Sequence, residues 1–93
     1  MDSEHARSKY KPPTPNEVIS ILSALHLTGA ATGKLLDVGD RTVRRWTAGE
    51  RDLGFAMLYT LLNRKIDMRI DPGNWRIIAR ANGLIDRDAS AKI

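Results

Sequence analysis

The sequence predicts an all-α protein, a single bundle of four to five helices. Three observations carry that expectation. Apolar residues recur at three- and four-residue spacing over most of the chain, the segments they mark open on capping residues and tend to close near glycine, and no run alternates apolar with polar residues as a half-buried strand would. With 93 residues, of which 42% are hydrophobic, there is material for one modest core and not for two.

Residues 1–13 carry only Met1, Ala6 and Tyr10 as apolar groups and end in two prolines. So little buried surface cannot offset the entropy of ordering the chain, so a disordered basic arm is expected there, with Arg7, Lys9 and Lys11 as its cations. The folded domain is expected over 14–85. Its first helix opens at Thr14-Pro15-Asn16-Glu17: threonine as N-cap, proline at the first helical position, glutamate completing a capping box. Val18, Ile21, Leu22 and Leu25 form its apolar stripe with Ile19 alongside, and it should stop near His26. Over Leu27–Leu36 helix and loop are evenly balanced, because Thr28 is a good N-cap while Gly29 and Gly33 each cost a helix about 1 kcal/mol relative to alanine. Asp40 or Gly39 can cap a third helix over Arg41–Ala48, which Gly49 ends in the left-handed conformation. A fourth helix runs from roughly Leu53 to Asn63, with Phe55, Leu58, Leu61 and Leu62 as its buried stripe and Met57 widening it. Asp71-Pro72 opens a fifth helix through Trp75, Ile78 and Ala79 that Gly83 closes, and 86–93 should be a frayed tail.

Function is concentrated between Leu27 and Arg51. Two short helices joined by a tight turn are the architecture of a helix-turn-helix, whose second helix lies in the major groove of DNA. The crossing point in the first helix must be small, which Gly33 meets best, although a plain loop glycine is the competing reading. The turn needs a residue that tolerates positive φ, which Asp37 supplies at modest cost. Leu36, Val38, Val43 and Trp46 then hold the second helix on the core, and three-residue spacing makes Trp46 a core group and not a stacking platform for bases. Arg41, Arg44 and Arg45, three and four apart, share the opposite face.

The stretch LTGAATGKLLDVGDRTVRRWTAGER resembles the helix-turn-helix of lambda-repressor/Cro-like (XRE-type) transcriptional regulators, whose pattern runs roughly L-T-Q-x-E-L-A-x-x-L-G-V-S-x-x-T-V-S-R-W-E-x-G. The match is ungapped and rests on Leu27, Thr28, Leu36, Val38, Thr42, Val43, Arg45, Trp46 and Gly49, with T-V-x-R-W-x-x-G its specific part. It extends over about residues 14–63. The chain departs from the pattern at Gly29, where glutamine usually helps to anchor the DNA backbone, at Thr32 for an aliphatic residue, at Gly33 for alanine and at Asp37 for glycine. The resemblance implies a compact orthogonal bundle of four or five helices that binds double-stranded DNA as a homodimer and represses transcription. It implies base contacts from Arg41, Arg44 and Arg45 and phosphate contacts from Thr28, Lys34, Thr42 and Arg51. Asp40 could accept from a cytosine amino group, but capping its own helix competes with that. Trp75, Ile77 and Ile78 exceed the needs of a minimal core and form a candidate dimer seam within 71–85. The arm is either a minor-groove strap or an inert tail.

Composition fits this reading. Fifteen Lys and Arg against 11 Asp and Glu give a net charge of +4, and arginine outnumbers lysine 10 to 5, which favours bidentate recognition of phosphate or guanine. With no cysteine, and with His5 the only histidine besides His26, no metal site and no cofactor are expected, and a reducing, cytoplasmic setting beside the nucleoid fits. No apolar run approaches the ~20 residues of a membrane span. The opening residues lack the order of a signal peptide. No nucleophile elbow or phosphate-cradling loop is present, and the paired carboxylates Asp86 and Asp88 fall in the tail, so catalysis is not expected. An alternative is a protein-binding module, antitoxin or inhibitor, that keeps the fold without binding DNA. RNA binding is disfavoured by the scarcity of aromatic residues.

Overall fold

Thr14 sets the start of the first helix. In the computed structural model, which describes residues 10–85, Glu17 N–H donates to Thr14 Oγ1 at 3.1 Å and Thr14 N–H donates to Glu17 Oε1 at 2.9 Å. Both halves of the capping box are therefore formed, and α1 runs Pro15–Ala24. Thr28 likewise accepts from Ala31 N–H at 3.0 Å and opens α2, Gly29–Leu36. Then follow α3, Asp40–Ala48; α4, Phe55–Leu62; and α5, Trp75–Ala81. Among the described residues there is no strand, so the chain is all-α with five helices. The axes of α1 and α2 lie at 90°, α3 packs on both, and no single described helix is long and apolar enough to cross a membrane.

Four helices end alike. His26 (φ 59°), Asp37 (φ 59°), Gly49 (φ 82°) and Gly83 (φ 78°) are left-handed. In each case the next N–H reaches back 2.9 Å to a carbonyl of the last turn: Leu27 to Leu22, Val38 to Gly33, Glu50 to Arg45 and Leu84 to Ala79. Two of these stops carry side chains in a conformation that costs ordinary residues roughly 1–2 kcal/mol. Asp37 also places a negative charge at a helix C-terminus. His26→Gly and Asp37→Gly are each expected to raise stability by about 0.5–1 kcal/mol in urea denaturation, after the extra unfolded-state freedom of glycine is subtracted. A loss at either position would show that the side chain makes a contact worth more than the strain.

One core joins the helices. Val18, Ile21 and Leu22 of α1 meet Leu36 of α2, Val43 and Trp46 of α3, Leu58, Leu61 and Leu62 of α4, and Trp75 and Ala79 of α5. Leu53, Ile66, Ile70, Leu84 and Ile85, from the connecting segments, complete it. Ile19, placed beside the α1 stripe by its spacing, is 49% exposed.

Several expectations are corrected. The segment Tyr10–Pro13, assigned to the arm, packs on the domain. Tyr10 Oη donates to Leu53 O and its ring meets Phe55 edge-on at 5.5 Å. Trp75 Nε1 donates to Lys11 O at 3.1 Å, Arg76 Nη2 donates to Pro12 O at 3.3 Å, and Pro13 is buried. The rest of the arm, 1–9, and the tail, 86–93, lie outside the described residues. Arg76 also grips Glu17 through two bonds of 2.8 and 2.9 Å. Burial alone would raise the Glu17 carboxyl, but the Arg76 and Thr14 hydrogen bonds and the charges of Arg76 and Arg80 outweigh it and hold the group below its ordinary 4.5. α4 starts after Leu53, not at it. α5 starts at Trp75, not at Asp71-Pro72, because Asp71 spends its carboxylate on a turn, accepting from Gly73 and Asn74 N–H at 2.9 Å. Trp75 is 1% exposed with the Arg76 guanidinium 4.5 Å over its ring, so it fills the core of its own chain and cannot line a dimer seam. Ile78 is half-buried, and of that trio only Ile77, 68% exposed, stands open.

Candidate nucleic-acid interface

The turn between α2 and α3 fixes how closely the two helices meet. Asp37 adopts φ 59° and ψ 48°, which folds the backbone of Val38 and Gly39 back over α2. A Cβ on Gly33 would lie 2.7 Å from Val38 O, closer than real carbon atoms approach, so the turn folds this tightly only over glycine. Thr32, where the helix would ordinarily bury an aliphatic group, is fully buried, and its hydroxyl donates to Thr28 O at 2.7 Å. α3 ends at Gly49, whose missing Cβ would sit 2.9 Å from Pro15 Cγ at the start of α1. Its left-handed φ favours glycine as well.

Within that frame α3 divides into two faces. Val43 and Trp46, 2% and 4% exposed, enter the core, with Leu36 buried and Val38 half-buried beside them. Arg41, Arg44, Arg45 and Ala48 occupy the solvent face, where with Glu50 they wall a shallow open depression. Among the described residues none of the three arginines forms an ion pair; the one found joins Arg76 to Glu17. Cationic, planar hydrogen-bond donors are thus held at fixed spacing on a rigid helix, open to an acceptor-rich partner.

The other residues named from the sequence are placed less uniformly. Gly39, not Asp40, is the N-cap of α3, and Asp40 makes no capping hydrogen bond. Its carboxylate leans toward α2, with Oδ1 3.8 Å from where a Gly33 Cβ would be, outside the arginine depression. Thr28 is exposed and already accepts from Ala31 N–H, leaving its hydroxyl proton to donate. Lys34 and Arg51 are exposed and Thr42 half-buried, and none of them lines the depression. Ala48 and Glu50, which do line it, were missed. For Ala48 the signal was its place one helical face on from Arg41, Arg44 and Arg45; Glu50 is put there by the left-handed turn at Gly49. A second, apolar groove, bordered by Ile19, Leu22, Leu27, Val43 and Arg44, runs between α1, the start of α2 and α3. No cluster of three or more His, Cys, Asp or Glu suited to a metal ion occurs among the described residues.

Comparison with protein-family models, with curated proteins and with solved structures found no match to this chain. The functional reading therefore rests on the geometry of α2 and α3 and on the residues they present.

Proposed function

We propose that this protein is a sequence-specific double-stranded DNA-binding transcriptional regulator, a repressor that occupies a palindromic operator as a homodimer, with α2 and α3 as its helix-turn-helix. The observation that carries the reading is the arginine face of α3, backed by Val43 and Trp46 and unpaired with acid among the described residues. A nine-residue helix is about 13 Å long, close to the width of the major groove. Arginine reads guanine through paired hydrogen bonds to O6 and N7. Thr28, Lys34, Thr42 and Arg51 would supply the phosphate contacts that set register without reading sequence. A role for Asp40 at a base edge would require its carboxylate to swing away from Gly33. For the dimer, Ile77 is the surface residue that remains from the expected seam. Autorepression of a phage, plasmid or toxin–antitoxin operon, and a place beside the nucleoid, follow from the family resemblance alone.

The salt dependence of binding to a random-sequence duplex tests this. Each phosphate neutralised contributes about −0.9 to the slope of log K against log salt, so Lys34 and Arg51 from two subunits would give about −3 to −4. Undetectable duplex binding at low salt would sink the proposal. It would favour the second reading, a protein-binding module, to which the apolar groove beside the 49% exposed Ile19 is suited.

A further inference from the structure

The depression walled by three arginines contains one acid. Glu50 follows the left-handed Gly49, and its N–H donates to Arg45 O at 2.9 Å, so its backbone is tied to the last turn of the arginine-bearing helix. Gly49 is itself packed against Pro15, which leaves the segment little room to slide. Glu50 is exposed, forms no ion pair within 4.0 Å among the described residues, and lines the same concavity as Arg41, Arg44 and Arg45, with Ala48 beside it. An alanine at this place keeps the space between arginines and carboxylate open.

On a surface that only attracted polyanions, a carboxylate in this position would work against binding, since it repels phosphate oxygens and the O6 and N7 acceptors of guanine alike. The same carboxylate complements an exocyclic amino group, and glutamate accepts from cytosine N4 in the major groove. We propose that Glu50 is a specificity-determining residue that selects cytosine at one position of each half-site, beside the bases met by the arginines. This inference rests on the DNA-reading proposal for α3. It adds to that proposal a base class the arginines cannot select, because a guanidinium has donors only.

Selection of duplexes from a random pool by the full chain, wild type against Glu50→Gln, separates the two claims. Wild type is expected to enrich a sequence with cytosine at one position per half-site. Glu50→Gln is expected to lose that cytosine alone, admit adenine there, and lower the ratio of specific to random-duplex affinity about 10-fold. Glu50→Ala, which cannot pair with adenine, is expected to leave the position unspecified; it also serves as the reporter should the glutamine variant fold poorly. If the variants enrich the wild-type sequence with an unchanged ratio, or bind all sequences uniformly tighter, Glu50 is not a reader and this inference falls while the DNA proposal stands. If wild type enriches no sequence, the DNA reading itself fails and takes the inference with it.

Discussion

Trp46→Ala is expected to destabilise the protein by about 3–5 kcal/mol, the range for removing a buried large aromatic side chain. A chain of 93 residues holds roughly 5–14 kcal/mol in total, so the variant should melt far below wild type and be partly unfolded at 37 °C. The indole is 4% exposed and shares with Val43 the task of fixing α3 to the core, which is why so much depends on it. Trp46→Phe refills most of the space and should recover more than half of the loss. Urea denaturation followed by far-ultraviolet circular dichroism reads both variants. In Trp46→Phe the buried Trp75 remains as the single tryptophan reporter, and its emission should stay that of an enclosed indole. A loss below about 1 kcal/mol for Trp46→Ala would mean that α3 is not held through this side chain, and the arginines would then lack the rigid backing their spacing requires.

Where the sequence could be read correctly, the chemistry was local. A threonine oxygen reaches an N–H three residues on, so Thr14 and Thr28 mark the starts of α1 and α2 with no knowledge of the rest of the fold. Gly49 marks a stop in the same way. The apolar stripes of α1, α3 and α4 follow from periodicity, and with them which face of α3 turns outward. α2 could not be decided locally because its glycines count against a helix. What overrides them is tertiary: the backbone of the Val38–Gly39 turn needs the space Gly33 leaves, and the hydroxyl of the buried Thr32 finds Thr28 O within the helix.

The misreadings share one cause, contacts between residues far apart in the chain. By composition Tyr10–Pro13 cannot order itself, yet it is held by the carbonyl of Leu53 and the side chains of Trp75 and Arg76, 43 to 64 residues away. Ile66 and Ile70 join the core from a segment without helical period, which gave no amphipathic signal to follow. Trp75, Ile77 and Ile78 look alike as a sequence triplet. Once α5 starts at Trp75 its inner face is Trp75 and Ala79, and Ile77 is rotated to the outside. For Asp40 the error is one residue: Gly39 takes the cap, and the carboxylate is left beside Gly33.

The arginine face should respond quite differently from Trp46. Arg44 and Arg45 are exposed and make no ion pair among the described residues, so Arg44→Ala and Arg45→Ala should keep the wild-type unfolding midpoint, within about 0.5 kcal/mol. Arg45 lies in the last turn of α3, where a cation favours the helix dipole, so its variant should sit at the weaker end of that range. Against the operator recovered by selection, each variant should lose about 1–3 kcal/mol of discrimination, or roughly 5- to 150-fold in preference over random duplex. Each should relax a different base position. The double variant need not show the sum, because adjacent side chains reading neighbouring bases are coupled. Lys34→Ala and Arg51→Ala supply the contrast: both should weaken binding to every sequence alike and make the salt slope about 1 unit shallower, with base preference unchanged. Should the four variants all behave like this second pair, Arg44 and Arg45 touch only the phosphate backbone and α3 does not enter the groove. Should all four bind the operator as wild type does, the duplex lies on some other face of the molecule.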